Sequence, residues 1–201
     1  MIDLPTDLPA DIVPLSWLLG VWEGTGVIDY EADGAAFQGE FAHRVSFSHD
    51  GGDYVNYAAS AWLLGDGEAR TPLVAETGYW RLARPAAAVD AGPALLPASA
   101  ARPAPRTADD VEALRNAEGG FDLEVAIVHS DGISELYLGQ VRGPRIDLAT
   151  DAVIRPSSAK VYTAATRMYG LVDGHLLWAW DIAALGGELA PHASARLARA
   201  E

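Results

Sequence analysis

Along residues 20–30, GVWEGTGVIDY, the chain alternates by twos. Trp22, Gly24, Gly26, Ile28 and Tyr30 fall on one face of an extended segment, and Glu23, Thr25 and Asp29 on the other. Such alternation predicts a half-buried strand. Glycine inside a strand marks a sharp bend or a close approach by another element. Strand-like segments continue at 41–49, 53–64, 76–83, 121–129, 133–141, 145–150, 159–172 and 174–185. Turn signals divide them: DGG at 50–52, GDGE at 65–68, SDG at 130–132, RGP at 142–144 and VDG at 172–174. Short strands in series with this punctuation predict an all-β fold, an antiparallel sandwich or barrel. PLSWLL (14–19) predicts one helical turn, with Pro14 near its first position.

Two stretches break the pattern. Residues 1–13 read as a disordered lead-in, which leaves 14–201 as the domain. Residues 85–119 are rich in alanine and proline, and so many prolines cannot join a central strand. They predict an inserted surface loop, tolerated rather than used for binding. Inside it, Thr107 predicts the N-cap of a short helix and Gly119 its stop.

Composition narrows the function. A chain of 201 residues, 50% apolar, holds one well-cored domain. The net charge of −14 repels phosphate backbones and anionic lipid, so neither nucleic acid nor membrane is an expected partner. No cysteine is present, which removes disulfides, thiolate metal clusters and thiol nucleophiles. The acidic, proline-broken start lacks the basic and apolar regions of a secretory signal. The expected location is cytoplasmic.

The spacing Gly20, Trp22, Gly24, Gly26 is G-x-W-x-G-x-G, and PLSWLLGVWEGTG (14–26) resembles the opening of the nitrobindin family. ETGYWR (76–81), HSDGISELYLG (129–139) and PSSAKVYTAATRMYGLVDGHLLWAWDIAA (156–184) are similar to later family segments, in family order. The resemblance implies a single antiparallel up-and-down β-barrel of about ten strands, shaped like lipocalins and fatty-acid-binding proteins. It further implies haem b as cofactor, His192 as the axial iron ligand, and isomerisation of peroxynitrite to nitrate at ferric iron. Binding of NO by the ferrous form and homodimers in some members belong to the same implication. The chain departs from the family in three places. YEADGAAF (30–37) replaces a Tyr-Pro-Thr, His43 and Arg44 replace paired acids, and Leu73-Val74 replaces a Met-His. Loss of that histidine implies a more apolar distal side.

The residues themselves fit this chemistry. A macrocycle wants apolar walls, which inward Trp, Leu, Ile and Val supply. Iron wants an axial nitrogen, and one protein ligand leaves the sixth position open for a small molecule. Lys160 is placed to face a propionate; otherwise it is an exposed strand lysine. Taken alone, His192 would read as a surface or capping residue. Among competing histidines, His43 lies within a strand and is the most credible substitute, whereas His49, His129 and His175 adjoin turns. Trp22, Gly24 and Gly26 read as architectural, with Trp22 plugging one end of the barrel. Arg167 and Tyr169, two apart on a strand, share a face. They suggest a rival function: a non-catalytic carrier of a fatty acid or similar apolar anion, its carboxylate clamped by guanidinium and phenol. An Arg167 that buttresses the barrel is the alternative. Glu76, Glu124 and Glu135 lie in strands, and spacing alone pairs none of them across a cleft.

Overall fold

In the computed structural model, which describes residues 8–32, 35–67, 69–99 and 106–200, ten strands close into one barrel. They are β1 (Gly20–Ala32), β2 (Ala35–Ser48), β3 (Val55–Leu64), β4 (Arg70–Leu82), β5 (Phe121–His129), β6 (Ser134–Arg142), β7 (Arg145–Ile154), β8 (Tyr162–Val172), β9 (His175–Ala184) and β10 (Ala190–Arg199). Each pairs antiparallel with its neighbour in sequence, and β1 pairs with β10 to close the ring. Closure leaves no unpaired edge. The alternation read from the sequence is the alternation of burial: on β5, Phe121, Leu123, Val125, Ile127 and His129 point inward. The tenth strand, β10, lies beyond the segments that alternation marks.

One end of the barrel is stoppered. A 3-10 helix, Ala10–Leu18, buries Ile12, Leu15 and Leu18. Trp22 lies beneath it, its Nε1 donating to the Leu18 carbonyl at 2.7 Å, while the Arg199 guanidinium covers the indole at 4.7 Å. Trp22 therefore plugs the barrel as expected. The helix begins four residues earlier than Pro14, because Asp11 and Ile12 find burial and Asp11 pairs with Arg106 at 2.9 Å. The expected boundary at residue 13 moves accordingly. Residues 1–7 of the lead-in, Asp33 and Gly34, Glu68 of the GDGE turn, and 100–105 of the Ala/Pro stretch lie outside the described residues.

Helix α1 (Ala108–Glu112) has the predicted Thr107 N-cap, closed by a reciprocal capping box with Asp110. It stops at Glu112. Gly119, at φ +79°, instead shapes the turn before β5. Val111 is buried, and α1 packs against the 3-10 helix at the closed end. No helix among the described residues is long and apolar enough to cross a membrane.

Candidate functional site

The opposite end of the barrel opens into a cavity of about 700 Å³. Its wall is apolar and aromatic, with Ile28, Phe41, Trp178, Trp180 and Ile182 among the lining residues. Leu73 and Val74 line it as well, so the positions that depart from the family do present apolar side chains there. Glu31, Asp131, Lys160 and Glu188 contribute charge. Lys160 is exposed and is the only lysine in the chain. It sits before β8 rather than within a strand.

His192 lines this cavity from β10, and a β-bulge puts it there. Ala195 faces inward, so strict alternation along β10 would turn residue 192 outward. The pairing shifts instead: Pro191 opposes Asp181 and Ala193 opposes Trp180, with His192 the extra residue between them. The imidazole packs beside Tyr30 (ring centroids 5.2 Å) and edge-on to Trp180 (5.8 Å). Burial lowers its pKa, which favours the neutral ring. Its Nδ1 is enclosed, with no hydrogen-bond partner among the described residues. A neutral, partner-free imidazole in an apolar cavity fits an axial ligand of haem iron, which needs a nitrogen lone pair.

His43 also lines the cavity, 4 % exposed, and burial lowers its pKa to about 4. Its Nδ1 lies 3.2 Å from the Ser60 carbonyl, which can only accept, so Nδ1 carries the proton. The ring leans on Trp178 at 4.8 Å, and its Nε2 is enclosed without a partner among the described residues. His175 and His49 do not line the cavity.

Beneath the cavity lies a charge network that sequence spacing did not assemble. Arg167, fully buried on β8, donates from both terminal nitrogens to Glu76 of β4 (2.8 and 2.9 Å). It also donates to Glu135 of β6 (3.3 Å), to the Tyr137 hydroxyl (2.9 Å) and, more weakly, to Tyr57 (3.4 Å). Burial pushes the Glu76 carboxyl up, yet the Arg167 guanidinium outweighs it and holds the pKa at about 2. His129 approaches Glu135 at 2.6 Å through Nε2, and Tyr137 and Tyr162 donate to the same carboxylate. His129 is therefore a structural member of this network, as its place before the turn suggested, and it also borders the cavity.

This geometry answers the carrier reading. All five N–H groups of Arg167 are occupied by protein acceptors, so none remains for a ligand carboxylate. Neither Arg167 nor Tyr169 lines the cavity. Tyr169 packs edge-on against Trp80 at 5.1 Å. Arg167 braces the barrel. Of the sequence-predicted site residues, His192, Lys160 and His43 come together. Trp22, Gly24 and Gly26 line no part of the cavity, as their architectural reading requires.

Residues 11–199 match the family model described as "THAP4-like, heme-binding beta-barrel domain". A protein of Leifsonia xyli subsp. xyli named peroxynitrite isomerase is 64% identical over 201 residues, all of both chains. One of the same name from Clavibacter michiganensis subsp. michiganensis is 59% identical, again over the whole of both chains. Among solved structures, Rv2717c from M. tuberculosis is similar at 25% identity and a TM-score of 0.65, covering 99% of this chain and 100% of that one.

Proposed function

The chain belongs to the THAP4-like haem-binding β-barrel family, the nitrobindins, and with that as premise we propose that its cavity holds haem b through His192 for the isomerisation of peroxynitrite to nitrate. The observation that carries the residue assignment is the bulge that turns a neutral, unpartnered imidazole into an apolar cavity. When bound there, haem supplies ferric iron as a Lewis acid toward the peroxide oxygen. The protein's own residues do the rest by placement. His192 offers one nitrogen from one side. Trp178, Phe41, Leu73 and Val74 give the cavity apolar walls. Lys160 gives the cavity a cation to face a propionate, in a chain whose net charge is −14. Peroxynitrite and nitrate contain the same atoms and the same charge, so no side-chain base has to take up a proton.

The same open iron position suits NO in the ferrous state, which an NO titration of the reduced protein reads directly. Cytoplasmic action and a homodimer complete the reading; cell fractionation and sedimentation test them. The single domain with a tolerated 85–119 insertion belongs to it too, since no described residue of that stretch lines the cavity.

The decisive experiment is hemin titration followed by stopped-flow decay of peroxynitrite, on the unaltered chain and on His192→Ala. The unaltered chain is expected to take up hemin stoichiometrically and accelerate the decay. His192→Ala keeps the barrel's circular dichroism and loses both. An unchanged Soret band and unchanged hemin uptake in that variant would refute His192 as the ligand.

A further inference from the structure

When a histidine holds a metal, its second ring nitrogen ordinarily donates to a carboxylate, a carbonyl or water. That bond fixes the ring and makes the coordinating nitrogen a stronger donor. His192 has no such bond among the described residues, although its Nδ1 is enclosed. The buried carboxylates nearby are committed elsewhere: Glu76 to Arg167 and Tyr57, and Glu135 to Arg167, His129, Tyr137 and Tyr162. Two rings pack against the imidazole. Tyr30 lies against His192 at 5.2 Å and 41°, and Trp180 meets it edge-on at 5.8 Å and 88°. Trp180 is itself pinned, its ring under the Arg167 guanidinium at 4.4 Å.

We propose that Tyr30 and Trp180 position His192 by packing, and that the lack of a hydrogen bond from Nδ1 to any described residue keeps it a weakly donating axial ligand. The inference rests on His192 being that ligand. It has a chemical consequence. Electron density pushed from an axial ligand onto iron favours O–O cleavage that leaves the iron oxidised. A ligand without that push leaves the iron an electron-poor Lewis acid. That suits an isomerisation, which breaks the O–O bond, forms an N–O bond in its place and takes no net electron from the iron.

The test uses the full chain carrying His192→Gly, loaded with hemin and titrated with 4-methylimidazole or 1-methylimidazole while the Soret band is followed. Each ligand can place its methyl group where the histidine Cβ stood. They differ in presenting N–H or C–H where Nδ1 was. After correction for their affinities toward hemin in solution, the two dissociation constants are expected to agree within about threefold. Binding of 4-methylimidazole tighter by about tenfold or more would reveal an acceptor at Nδ1 and overturn the inference, with His192 still standing as ligand. A glycine variant whose spectrum matches the unaltered protein and ignores both imidazoles overturns the ligand role and the inference together. Tyr30 supplies a second arm that does not depend on the glycine variant folding. Tyr30→Phe keeps the ring and is expected to keep hemin affinity and the iron–histidine stretching frequency. Tyr30→Ala is expected to bind hemin about tenfold more weakly, with a broadened stretching band. Equal affinity and an unchanged band in the alanine variant overturn the positioning role.

Discussion

Burial holds the His43 imidazole at a pKa of about 4, so the ring is neutral near pH 7. Its folded value lies below the 6.5 of an unburied histidine, and acid therefore favours the unfolded chain, which takes up the proton first. The neutral ring costs nothing above pH 6.5. Below it, stability falls by about 1.4 kcal/mol per pH unit, and by pH 4 the loss reaches about 3 kcal/mol. His43→Phe keeps a ring between Phe41 and Trp178 and removes the titrating nitrogens. Denaturant midpoints measured from pH 7 to pH 4 are expected to decline less steeply in the variant. Parallel declines would show that the acid sensitivity arises elsewhere.

At the scale of elements, the seam between β1 and β10 decides whether the bulge at His192 is held in place. Gly26 sits opposite Ala195 in that seam, and a Cβ there would run into the Ser194 carbonyl, the Phe41 ring and the Ala195 methyl. Gly26→Val is expected to destabilise the barrel by about 1–3 kcal/mol, as overpacking does, and to weaken hemin binding because β10 carries His192. Gly170→Ala is the control: its Cβ would meet nothing closer than the Pro144 carbonyl at 3.9 Å. Equal loss of hemin affinity in both variants would mean that the seam has no special hold on the ligand. The same two strands show what the sequence makes legible. β1 is readable because the inward Trp22 and Ile28 share one parity, while Glu23, Thr25 and Asp29 take the other. β10 is not, because Leu197 is its single large inward residue and the bulge at His192 breaks the parity that alternation relies on. His192 itself is reached through family resemblance, not through periodicity. The charge network was half legible. Glu76 shares parity with the inward Trp80 and Leu82, and Glu135 with Tyr137, so the pattern already aims carboxylates at the core. A buried charge demands a partner. The partner could not be named, because Arg167 lies 91 residues from Glu76 and only barrel closure brings β4, β6 and β8 around it.

Across the whole molecule, Arg167 is the brace that makes a barrel with inward carboxylates tolerable. It links β4 and β6 through Glu76 and Glu135 from its own place on β8, spanning the interior just below the cavity. Arg167→Met fills similar space without charge and leaves Glu76 and Glu135 without their guanidinium, with Tyr57 still on Glu76 and His129, Tyr137 and Tyr162 still on Glu135. Removing one partner of a buried pair costs about 3–5 kcal/mol. The pH dependence identifies the cause. In the unaltered protein Glu76 is held at about 2, below its ordinary 4.5, so its contribution is present above pH 4.5 and is lost as the pH falls toward 2. Without the guanidinium, burial is the dominant influence left and raises that carboxyl above its ordinary value. The variant then gains relative stability as the pH falls through the raised value, because the folded state now holds the proton more tightly. The stability gap between Arg167→Met and the unaltered chain is therefore expected to be widest at pH 8 and to narrow toward pH 5, read from urea midpoints at each pH. A gap that stays constant over that range would mean that Arg167 stabilises through packing on Trp180 and the tyrosines, and that neutralising Glu76 and Glu135 is not its task.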